Sequence, residues 1–345
     1  MNHIMNSKLT LPVISSYILA LLAGLVVLKA GLLLALFSGL LVYSLVHLIA
    51  PSIEKHIRFM PARLVVLGLL AIIVISGLTA VILAAISFAK SDAGSVRMLL
   101  QSLAGIIETS RSQVPTWISD YLPNGSDALH DLMSGWLRDH GQEAKILGQE
   151  AGHSIIHLLM GMVIGGMIAI HDLKTILPPF ANALLQRAEN LQCSFQRIVF
   201  AQVRISGINA ALSSIYLLVI LPACDVHLPF AKTMVLVTFI TGLLPVVGNI
   251  ISNTILVIIS LSHSVNIAAF SLSYMVLIHK LEYFLNAKII GTQINARAWE
   301  LLIAILVMES LFGIAGLIAA PVFYAWIKIE LGMGCKPAIS HTPRH

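Results

Sequence analysis

Glu309 stands inside an apolar run, with Leu301 to Met308 before it and Leu311 and Phe312 just after Ser310. An acid at that depth in a membrane segment costs about 2.5–3.5 kcal/mol on insertion scales, and it is kept where it carries a proton or meets a cation. That makes Glu309 the candidate coupling residue; the plainer reading places it near an aqueous face or pairs it with a lysine or arginine. The same run is broken downstream by Gly313, Gly316 and Pro321. A second apolar stretch, 232–262, is broken by Thr241-Gly242-Leu-Leu-Pro245-Val-Val-Gly248-Asn249. Pro245 removes a backbone donor and disfavours helix at the residue before it, while Gly248 tolerates non-helical backbone. Half-helix ends inside a membrane expose amides and carbonyls that can bind ions or polar solutes. Asn249 and Asn253, four apart, add two carboxamides on one helical face. The competing reading is a proline kink whose amides bond to neighbouring helices.

Other polar groups are less specific. His279, Lys280 and Glu282, followed by Asn286 and Lys288, close a further apolar stretch. They read either as charges snorkelling at a membrane interface or as a polar patch facing a path. His153 and His157 are four apart, but no third metal ligand is evident beside them. Cys193, Cys224 and Cys335 are widely spaced and odd in number, so neither a ligand pair nor a disulfide framework is expected. HExxH, GxSxG and the phosphate-cradling GxxxxGKS/T are absent. Catalysis, a metal or other cofactor, and nucleotide-driven transport therefore lack a motif and are not expected.

The frame that must position these residues is embedded in a membrane. Of 345 residues, 58% are hydrophobic and only 11% charged, with mean hydropathy +0.91. A soluble domain is about 45–50% apolar and about 25% charged, so a secreted disulfide scaffold, a nucleic-acid module and a disordered tail are excluded. The net charge of +5 is then topology information. A bilayer core needs roughly 20 helical residues. That ruler predicts spans near 11–28, 31–50, 64–88, 155–171, 205–222 and 267–285, with 232–262 and 299–328 overlong. Lipid forces the backbone to satisfy its own hydrogen bonds, so the predicted fold is all-α and polytopic. It has about 6–8 transmembrane helices, two of the segments being broken or re-entrant hairpins.

Basic residues orient the set. Lys55, Arg58 and Arg63 in one loop, and Lys174, Arg187, Arg197 and Arg204 in another segment, place both on the cytoplasmic side. If 232–262 and 299–328 both cross fully, the basic Lys288–Arg297 loop falls outside; if both are hairpins, that loop and the tail carrying Lys328, Lys336 and Arg344 lie inside. Hairpins satisfy the charge rule better. The predicted organisation is 1–89 N-terminal spans, 90–154 an outer amphipathic helical region, and 155–204 a span plus an inner amphipathic helix around 184–199. A C-terminal core over 205–330 and a tail over 331–345 complete it.

Several of these residues resemble the blocks of a known family, the autoinducer-2 exporter family of bacterial membrane proteins. Asp225-Val-His227, running into Leu244-Pro245-Val-Val-Gly248, is similar to the family block that ends in Pro-x-x-Gly. Lys288-Ile-Ile-Gly291, followed by a span ending Phe312-Gly-Ile-Ala-Gly316-Leu-Ile-Ala-Ala-Pro321, is similar to the last block. The N-terminal layout also matches. The resemblance implies export of a small solute, with autoinducer-2 the namesake, or sodium/proton exchange as in other members. It also implies homo-oligomers in a bacterial inner membrane. The resulting expectation is a secondary transporter driven by an ion gradient; a passive channel and a membrane scaffold are the readings from other classes.

Overall fold

The computed structural model describes residues 10–55, 61–90, 131, 135, 139, 141–171, 177–228, 231–243, 247–261, 264–294 and 296–332. Among the described residues every regular element is helical: α1 Leu11–Lys29, α2 Leu33–Glu54, α3 Ala62–Lys90 and α4 Gly141–Ile170 come first. α5 covers Pro179–Ile215 and continues through a π-turn, Tyr216–Ile220, to Leu221–Ala223. α6 Ala231–Gly242, α7 Val247–Leu261, α8 Val265–Ile294 and α9 Ala298–Glu330 follow. Among the described residues six helices, α9 counted as one, are long and apolar enough to cross a bilayer. The predicted outer amphipathic region falls for the most part outside the described residues.

Two boundaries differ from the expectations. The inner helix expected near 184–199 and the span 205–222 are one element, α5. No glycine or proline interrupts 199–206, and one buried face continues through Phe195, Ile198, Ala201 and Ile205. The supposed Lys288–Arg297 loop is largely the end of α8, which stays helical to Ile294. The π-turn has a local cause. Pro222 has no N–H, and its ring collides with the carbonyl four residues back, so the helix widens just ahead of it.

The chain divides into two compact units. The first comprises Met1–Ile72, His153–Ala201 and Ala287–His345. Hydrophobicity does not drive helices together in lipid, so close backbone approach must. The pair Gly161 and Gly165 of α4 supplies it here: a Cβ on either would run into backbone of Ala35 or Gly39 on α2. The Ser38 hydroxyl donates to the Leu158 carbonyl at 2.8 Å across the same seam. Val42, Val46, Val66 and Ala169 pack around it, and a second cluster joins Leu28, Leu33, Ala319, Phe323 and Trp326.

The second unit comprises Ile73–Gly152 and Gln202–Asn286. Its core gathers Tyr216, Leu217, Leu221, Met234, Leu256 and Met275 from α5 through α8. In both units rows of large apolar side chains stay exposed, among them Ile72, Met167 and Leu277. Exposed rows of this extent are what a lipid-facing surface requires.

Candidate functional site

α9 is two helices folded against each other. At Gly313 the backbone takes φ 60° and ψ −141°, a region essentially reserved for glycine. The Glu300 carboxylate accepts from Lys328 Nζ at 2.7 Å and from the Tyr324 hydroxyl. Those partners lie 28 and 24 positions away, about 42 and 36 Å along a straight helix. Only a reversal near residue 313 brings them together. Gly316 lets the arms close, since a Cβ there would strike the Met308 carbonyl. Pro321 is buried in the returning arm. Arms of this size reach about 22–25 Å, short of the roughly 30 Å of a hydrocarbon core.

Glu309 lies in the last turn of the outgoing arm and is exposed. Nine positions separate it from Glu300, two and a half turns, so it points away from the arm that Glu300 touches. Exposed Leu302, Leu306 and Leu311 surround it. The negative end of a helix repels a carboxylate and draws a proton or metal cation.

The second break is also a hairpin, formed by α6 and α7. Gly248 sits where a Cβ would strike the Thr241 carbonyl, which draws the arms together at their joined end. Here the end of the first arm is capped from α5. Gln202 Nε2 donates to the Gly242 carbonyl at 2.7 Å, and the Ser206 hydroxyl donates to the Phe239 carbonyl. The Leu243 N–H bonds to the Ile240 carbonyl, and the Thr241 hydroxyl turns back to Val237. Orphan carbonyls at this helix end thus have protein donors.

The predicted site residues divide accordingly. Thr241, Gly242 and Gly248 meet at the joined end of the α6–α7 hairpin, and Gly313, Gly316 and Glu309 at that of α9. Asn253 is half-buried on α7. Pro245 lies outside the described residues. The backbones of Asn249 on α7, and of Glu282, Asn286 and Gly291 on α8, are helical, and their side chains are outside what is described.

Sequence reasoning missed two clusters. Arg187, read only as a topology charge, is buried: its guanidinium pairs with Glu330, donates to the Tyr17 hydroxyl at 2.7 Å and stacks on that ring. Asn190 and the Trp326 indole both donate to the other Glu330 oxygen at 3.1 Å. Glu300, Tyr324 and Lys328 form the other cluster. The one available signal was spacing: 324 and 328 share one face of the returning arm, while 326 and 330 share the opposite one.

Five helices able to cross a bilayer among the described residues, exposed apolar faces and two Gly-closed hairpins, one of them α9, define a multi-pass α-helical membrane protein. The chain belongs to the AI-2E transporter family, whose model matches residues 14–333, nearly its whole length. No curated protein and no solved structure matches it. It is therefore a membrane transporter, working in a lipid bilayer on a small-molecule substrate.

Proposed function

We propose that this protein is a secondary transporter of a bacterial inner membrane, exporting a small solute of the autoinducer-2 kind at the expense of an ion gradient. The observation that carries the reading is the α9 hairpin, with an exposed carboxylate at the dipole-negative end of its outgoing arm. Glu309 takes up a proton or cation on one side of the cycle and releases it on the other. The half-helix ends beside it supply polar backbone inside an apolar segment. The pathway residues proposed on the two hairpins, Thr241 to Asn253 on one and Gly313 to Pro321 on the other, each shape and seat the ends of their own hairpin. Glu282, Asn286 and Gly291 of α8 are proposed as further pathway residues. The working form is a homo-oligomer, and the protein moves its solute chemically unchanged.

Proteoliposomes test this. Gradient-dependent flux is expected in the wild type, and Glu309→Gln is expected to abolish its dependence on the gradient while downhill exchange persists. A Glu309→Gln protein with unaltered gradient-dependent flux would overturn the coupling role. Sodium/proton antiport is the second reading, favoured by the same carboxylate; sodium-dependent proton movement without any organic solute would establish it. Non-saturating, gradient-independent flux would point to a passive channel instead.

A further inference from the structure

The face that α5 turns into the second unit is polar along its length. Gln202, Ser206, Asn209, Ser213 and Tyr216 recur at intervals of four, three, four and three, the repeat of one helical face. Just upstream the buried face is apolar, with Leu191, Phe195 and Ile198. Polar side chains turned inward on a membrane helix are there either to bond a neighbouring helix or to meet a solute.

Both ends of the row bond to neighbours. At one end Gln202 and Ser206 hold the carbonyls that terminate α6. At the other, the Tyr216 hydroxyl meets Ser271 of α8 at 2.6 Å, and Ser271 meets Ser260 of α7 at 2.8 Å. Tyr274 stacks on the Tyr216 ring and donates to the Leu212 carbonyl, closing that end. The middle is different. Asn209 is 4% exposed and Ser213 3%, and among the described residues neither side chain has a hydrogen-bond partner. Their polar atoms are not among those sealed off without a partner, which among the described residues are Ser44 Oγ and Arg187 Nε, so each keeps a little accessible surface through which a small solute can supply the bond.

We propose that the middle of this row, Asn209 and Ser213, is a solute-contact site of the second unit. Gln202 and Ser206 form a releasable latch at its α6 end. No charged side chain lies on the row, and an amide with a hydroxyl offers both donors and acceptors. The ligand it fits is small, uncharged and able to donate and accept at once; a carboxylate, a phosphate or a bare cation would find no counter-charge. The proposal rests on the transporter reading but assigns residues distinct from Glu309.

The test uses the full chain in proteoliposomes, with Cys224, Cys335 and Cys193 replaced by serine; Cys193 is disulfide-bonded, contrary to the expectation from spacing, so the flux of this background is first matched to that of the wild type. Single variants Asn209→Cys, Ser213→Cys, Leu217→Cys and Leu277→Cys are exposed to uncharged methyl methanethiosulfonate and to its anionic sulfonatoethyl analogue. Thiols react as thiolates, which form only where water reaches, so neither the core position 217 nor the lipid-facing position 277 labels quickly. The uncharged reagent is expected to modify Asn209→Cys and Ser213→Cys about ten-fold faster than either control, and faster than the anionic one does. Adding Gln202→Leu is expected to speed labelling of Ser213→Cys further. Labelling of both positions as slow as Leu217→Cys, with the latch intact and with it removed, would overturn the proposal. Failure of gradient-driven flux would undo the transporter reading and leave the labelling result standing.

Discussion

Arg187 and Glu330 are worth most to the protein as a pair. Both side chains are buried, and removing one partner strands a charge, which costs about 3–5 kcal/mol, whereas replacing both by apolar groups is often close to neutral. Arg187→Met should therefore lower thermal stability in detergent more than Arg187→Met with Glu330→Leu does; equal losses would contradict the pairing. Gly313→Ala should cost about 1–3 kcal/mol for backbone strain alone, because open space surrounds the position. A melting-temperature comparison with Gly68→Ala, inside α3 and equally open, isolates the φ effect. Glu309 was legible as a solitary acid in an apolar run. Arg187 was not, because its partner lies 143 positions away and no local pattern carries that distance.

At the scale of elements, glycine and proline carried most of the information. The breaks at Thr241–Asn249 and Gly313–Pro321 were visible because those residues interrupt helix, and both segments do double back. What the pattern could not convey was the difference between the two ends, since caps such as Gln202 and Ser206 come from another helix. The continuity of α5 was missed for a related reason: charges at Arg197 and Arg204 read as an interface, while the buried face runs past them. The α9 hairpin has a direct test. Glu300→Cys and Lys328→Cys, in a chain lacking other cysteines, should be joined by a short bis-maleimide. A straight helix would hold them about 42 Å apart, beyond such a linker.

For the whole molecule, the reversal in α9 decides topology. Arg297 and Gly332 flank the hairpin, so cysteines at these positions should react with an impermeant maleimide from the same side of the membrane. Labelling from opposite sides would mean that α9 crosses. From the charge rule, that shared side is expected to be the cytoplasm. Composition was enough to read the membrane class. It could not divide the chain into units, because each unit is drawn from stretches far apart in sequence.

The Glu330 partnership also bears on how the protein is made. Arg187 is synthesised long before the ribosome reaches Glu330, and the first unit takes in the late stretch from Ala287 onward. During synthesis the guanidinium waits unmatched, so the first unit cannot be completed before this late stretch has been made. A chain cut short before residue 324 loses Tyr324, Trp326, Lys328 and Glu330 together. It presents quality-control proteases with an inserted but unfinished protein, and a premature stop ahead of residue 324 removes the partners of Arg187 and Glu300 at one stroke.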